Sequence, residues 1–159
     1  MKHLAVTLAA LLVITVAGCD DEDPCRTVCD SEVPHDVIMF DALDDISLHA
    51  DDLTIREIGL TGDILYFKVE YGGGCMEHGF DLYGRSAFLE SDPPQASVYL
   101  SHNANGDDCE ALITGELEFS LVPLKHAYQR AYDDGGPMLL RIYAPGAPDP
   151  IQPLILYAF

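Results

Sequence analysis

The chain is predicted to be mostly β: an antiparallel β-sandwich or partly open barrel of about seven or eight strands with one short helix. Three observations carry this. From Val37 onward, apolar residues fall in short runs that largely alternate with polar ones. Glycine and proline clusters interrupt those runs, and a single stretch keeps helical spacing. Alternation at period two is the mark of a strand with one face buried, and spacing near 3.6 the mark of an amphipathic helix.

In chain order the predicted strands are Val37–Phe40, Leu53–Leu60, Ile64–Tyr71, Glu77–Tyr83, Ser97–Ser101, Ala111–Leu121, Met138–Tyr143 and Leu154–Phe159. Within "LTGDIL" the Gly62-Asp63 pair stands between two apolar runs, a hairpin signal because glycine adopts the positive φ that tight turns need. Pro93-Pro94, Gly135-Gly136-Pro137 and "APGAPDP" supply the remaining breaks. The helix is "PLKHAYQRAYDDGG", about residues 123–133, where Leu124, Tyr128 and Ala131/Tyr132 share a face. Pro123 suits its first turn and Gly135 lies past its end.

The first residues read as an export signal. Lys2 and His3 precede the apolar run Leu4 to Val16, which is too short for a comfortable membrane span. The run ends in Val16-Ala17-Gly18-Cys19, which resembles the lipobox of bacterial lipoproteins. That resemblance implies cleavage before Cys19, whose sulfur then carries the lipid, so residues 1–18 are the signal peptide. Residues 19–36 are read as a lipidated acidic tether with a cysteine loop, "DDEDP" followed by Cys25 and Cys29. Asp20 matches the inner-membrane retention pattern of some Gram-negative lineages. Residues 37–159 form the single β-sandwich domain, and the expected location is the cell envelope, facing the periplasm or exterior.

Charge narrows the partners. The chain has 27 acidic and 8 basic residues and a formal net charge of −19, and loss of Lys2 makes it more negative still. Nucleic acid is excluded as an expected partner, since phosphate contacts need a basic surface. Six Phe, eight Tyr and no Trp, in a chain that is 48% hydrophobic, are enough for a core. The expected partners are the membrane, through the lipid, and an envelope protein of unspecified identity.

Four cysteines remain once Cys19 is assigned to lipid, and outside the cytoplasm they favour disulfides. The favoured pairing is Cys75–Cys109 with Cys25–Cys29; cross-pairing of 25 and 29 with 75 and 109 is the alternative. The rival is zinc, because Cys75-x2-His78 and His102-x6-Cys109 supply a tetrahedral set. Strand parity turns both histidines inward, which fits a metal site and equally fits two structural histidines. A Cys–His nucleophile would need a free, activated thiol and an orienting third residue, and nothing in the sequence supplies them. "SHNANGDDCE" brings Asn103, Asn105, Asp107 and Asp108 together but lacks the EF-hand order, so an Asn-Gly turn is preferred to a calcium loop. The final "LILYAF" resembles the terminal aromatic signal of outer-membrane barrels, but several strands are too short for such a barrel.

"YGGGCMEHGFDLY", "VYLSHNANGDDCEALI" and "LEFSLVPLKHAY" occur together here. They combine a Gly-Gly-Cys-x-x-His strand start, a His…Asp-x-Cys turn and a Phe-x-Leu-x-Pro-Leu helix start. This combination, over Val69 to Tyr128, resembles the NigD-like lipoproteins. The resemblance implies a β-sandwich and carries over no catalytic residue. With no triad, carboxylate pair or phosphate loop found, the chain is expected to be a non-enzymatic binding or structural module without a cofactor, zinc being the alternative.

Overall fold

The structure is a computed structural model that describes residues 33–132 and 135–159. The segment read as a signal peptide, most of that read as a tether, and Cys19, Cys25 and Cys29 lie outside the described residues.

Nine strands and one α-helix are described, with a short 3-10 helix at Leu43–Asp45: β1 (His35–Asp36), β2 (Ile38–Phe40), β3 (Thr54–Thr61), β4 (Ile64–Gly73), β5 (Gly79–Arg85), β6 (Gln95–Asn103), β7 (Ala111–Ser120), α1 (Val122–Ala131), β8 (Met138–Tyr143) and β9 (Ile155–Tyr157). They form two open sheets, a four-stranded one ordered β1-β7-β4-β3 and a five-stranded one ordered β2-β5-β6-β8-β9. The predicted sandwich with one helix is therefore the observed architecture. One difference stands out. The sheets are mixed, because β1–β7, β2–β5 and β6–β8 run parallel. Between β6 and β8 the chain visits the other sheet as β7 and returns through α1, and a crossover of that kind brings a strand back in the same direction.

Strand alternation builds the core. Leu65, Phe67 and Val69 of β4 face Leu82 of β5, Val98 and Leu100 of β6 and Leu140 of β8, all 2% exposed or less. Leu124 and Tyr128 of α1 close the core, as the helical spacing predicts, whereas Ala131 is exposed. The predicted Val37–Phe40 strand is present as β2, and an unpredicted two-residue strand, β1, precedes it in the other sheet. His35–Asp36 joins the first sheet, Ile38–Phe40 the second, and the intervening Val37 is buried. Pairing thus begins at His35, within the segment read as tether.

The hairpin at Gly62-Asp63 is present, with Gly62 at φ +57°. Asp63 ties three elements together: its carboxylate accepts from Lys125 of α1 at 3.1 Å and from the Tyr157 hydroxyl of β9 at 2.7 Å. Tyr157 is a core residue, fully buried in an open sheet, and the terminal Phe159 is partly buried against that core.

Candidate functional site

Cys75 and Cys109 form a disulfide, as the favoured pairing predicts. It joins the loop after β4 to the loop before β7, where the two strands pair as far as Gly73 and Ala111. The bridge closes a separation of 34 residues, which in the chain-entropy model amounts to about 3–4 kcal/mol.

Asp107 lies beneath the bridge with a side chain that has no solvent exposure. Its Oδ2 accepts from the backbone N–H groups of Gly74, Cys75 and Met76 at 2.8, 2.9 and 2.9 Å, and its Oδ1 from that of Cys109 at 2.9 Å. Four amides converging on one carboxylate form an anion nest occupied from within the chain. The Cys109 and Met76 N–H donors, with those of Cys75 and Gly74, hold the carboxyl well below its usual range, against the opposing effect of burial.

From Asp107 a line of hydrogen bonds runs inward. His78 Nε2 meets Asp107 Oδ2 at 3.3 Å, His78 Nδ1 meets His102 Nε2 at 2.8 Å, and His102 Nδ1 meets the Asp51 carbonyl at 3.1 Å. Both ends of this line only accept. Which ring nitrogen donates in each link is set by the tautomers of the two imidazoles. The rings are clasped by aromatic faces: His102 stacks on Phe80 at 4.8 Å and 3°, and Tyr71 lies 4.7 Å from His78. Both histidines point inward, as strand parity predicts; His102 is 1% exposed.

Gly73 makes this geometry possible. Its φ is +149°, and a Cβ there would lie 2.5 Å from His78 Nε2 and 2.9 Å from Asp107 Oδ2. Asn105 and Gly106 form the preferred turn, at φ +52° and +74°, and the Asn105 amide donates to the Glu77 carbonyl at 2.6 Å.

The zinc set Cys75, His78, His102 and Cys109 is not assembled in this form. Zinc is bound by thiolate, and both sulfurs are in the bridge. Among the described residues, the donor atoms that do cluster within 4.8 Å are those of Cys75, Asp107 and Cys109. The histidines are instead engaged with Asp107, Asp51 and each other. Cys75 and His78 thus have partners within the chain, and the cluster joins the loop after β4 to the loop before β7.

A second constellation lies on the outer face of the five-stranded sheet. Pairing aligns Ile38, Tyr83, Tyr99 and Tyr143 in one row across β2, β5, β6 and β8. Tyr99 and Tyr143 stack at 4.6 Å and 13°, and Phe40 meets Tyr99 edge-on at 5.8 Å. The next row holds Phe40, Arg85, Ser97 and Arg141: Phe40 pairs with Arg85 and Ser97 with Arg141, while Arg85 follows the Gly84–Val98 pair. Arg141 donates to the Tyr143 hydroxyl at 3.2 and 3.1 Å and to Gln95 Oε1 at 3.1 Å. Among the described residues, neither arginine pairs with a carboxylate. Arg85 Nε is buried without a hydrogen-bond partner among them. The three tyrosines and two arginines are all partly exposed. Sequence reasoning missed this face, because its members belong to separate strands and only the register aligns them.

No protein-family description matches the chain, and no curated protein is similar to it at a significant level. Solved structures share its fold. A NigD-like immunity protein from Bacteroides caccae has a TM-score of 0.55 at 16% identity, over 78% of this chain and 64% of that one. A protein from Parabacteroides distasonis designated toxin-related has a TM-score of 0.54 at 19% identity, over 79% and 61%. One from Bacteroides fragilis designated a lipoprotein has a TM-score of 0.51 at 8% identity, over 80% and 69%. The chain spans less than two thirds of the length of the first two. The resemblance to NigD-like proteins is borne out at the level of the fold.

Proposed function

We propose that this chain is a lipid-anchored protein of the cell envelope whose sandwich acts by binding rather than by catalysis. The observation that carries the binding reading is the outer row of Tyr83, Tyr99 and Tyr143 beside Arg85 and Arg141. Tyrosine and arginine are the residues most concentrated at the energetic centres of protein interfaces, because they give large contact area and directional hydrogen bonds. The satisfied state of the Asp107 cluster supports the same reading, since its acid, bases and sulfurs are held by one another. The anchor rests on Val16-Ala17-Gly18-Cys19, and the Cys25–Cys29 pairing on the oxidising compartment this implies.

Two experiments test the proposal. Cys19→Ser should move the protein from the membrane to the soluble fraction, and unchanged retention would refute lipidation. A photoreactive residue at position 99 in living cells should form a discrete adduct, whereas one at position 116, on the outer face of the other sheet, should not. Equal labelling at the two positions would refute the assignment of the binding face.

A further inference from the structure

We infer that the Tyr–Arg face takes a protein segment presenting an isolated carboxylate beside apolar side chains; this rests on the binding reading above and names its partner chemistry. Charge placement comes first. In a chain with 27 acidic and 8 basic residues, an arginine has acids in abundance to pair with. Arg56 does so with Glu70, and Lys125 with Asp63. Arg85 and Arg141 do not, although they flank Ser97 in one row. Asp81, an acid on this face, stands across the tyrosine row from them, paired with Ser101. A cationic step is thus kept open on a strongly anionic protein.

Hydrogen bonding comes second. Buried polar atoms are nearly always paired, so Arg85 Nε, buried without a partner among the described residues, marks a guanidinium whose donor capacity the described residues leave partly unused. A guanidinium presents its donors as a planar fork that matches a carboxylate. Arg141 is already oriented by Tyr143 and Gln95 and lies with its Cζ 5.9 Å from the Tyr143 ring centroid, so little freedom remains to be lost on binding.

The kind of anion follows from the field. A net charge of −19 repels polyanions at long range, which disfavours nucleic acid and phosphate-rich polymers. A segment with one carboxylate meets the two arginines without that penalty. Its apolar neighbours can lie on the tyrosine row and on Ile38, which is 43% exposed.

The test uses the full chain in detergent micelles and two capped peptides, acetyl-Ser-Leu-Glu-Leu-Ser-amide and its Gln counterpart, followed by NMR. The Glu peptide should shift the signals of Tyr83, Tyr99 and Tyr143 and of the Arg85 Nε–H, and the Gln peptide should bind roughly tenfold more weakly. R85Q and R141Q should each weaken the Glu peptide by roughly tenfold, and R85K and R141K, which keep the charge but lose the fork, should also weaken it. Equal binding of the two peptides would overturn the carboxylate and leave the face standing. Displacement of the Glu peptide by equimolar inorganic phosphate would overturn the protein segment in favour of a general anion site. Binding with all shifts elsewhere on the molecule would sink both this inference and the binding reading.

Discussion

Asp107, His78 and His102, at one end of the sandwich, use their hydrogen-bonding capacity on one another and on backbone groups. On the outer face of the five-stranded sheet, Arg85 keeps a buried donor unmatched and neither arginine meets a carboxylate. The first region holds the residue types most often associated with chemistry: cysteine, histidine, aspartate. The second holds tyrosine, arginine and serine. Residue type alone therefore ranks the two regions in the opposite order to hydrogen-bond satisfaction. What separates them is satisfaction: a saturated polar cluster locks a fold, and an unsaturated one can meet something new.

The contrast can be tested from its most costly side. Replacing Cys75 and Cys109 together by Ser should lower unfolding free energy by about 3–4 kcal/mol in denaturant titrations. A loss near zero would mean the bridge is not what holds this end together. Gly73→Ala should cost about 1–3 kcal/mol, since the backbone conformation is strained for alanine and the new methyl meets His78 and Asp107. Gly72→Ala, whose added Cβ has open space, serves as its control.

The pH dependence sharpens the same side. The Asp107 carboxyl has a folded-state pKa below its unfolded value, so the carboxylate is favoured by folding. Its stabilisation is present in full above the unfolded value of about 3.9 and is lost as pH falls through and below it. The denaturant midpoint should therefore fall progressively as pH is lowered below about 4, and Asp107→Asn should flatten that fall. Parallel curves for the two proteins would contradict the nest. The smallest effect lies on the other region: R85Q, which removes a donor without a partner among the described residues, should change stability by no more than about 0.5 kcal/mol while weakening the peptide. A large loss of stability would move Arg85 into the class of structural groups.

Much of this fold is legible in the sequence because one face of each long strand is buried. The alternation of β4, β6 and β7 follows from that burial, as does the inward direction of His78 and His102. The Cys75–Cys109 pairing follows from compartment and spacing. Other features leave no local trace. The two-residue and three-residue strands β1 and β2 are too short to show a period, so their division between the sheets is invisible. Parallel pairing depends on where a crossover returns. Asp107 reads as one acid in an acidic loop until the fold brings the amides of Gly74, Cys75 and Met76 around it. Tyr83, Tyr99 and Tyr143 become neighbours only through register.

The division of the chain at Val37 also has a mechanical consequence. The stretch that leads out of the N-terminal segment is zipped parallel into both sheets, to β7 through His35–Asp36 and to β5 through Ile38–Phe40. A pull applied ahead of Val33 along these strands loads their ladder hydrogen bonds together, in shear, rather than one after another. For a domain tethered at its N-terminus, the point of attachment is then a two-sided clasp, and force arriving there is shared between the layers instead of peeling one of them open.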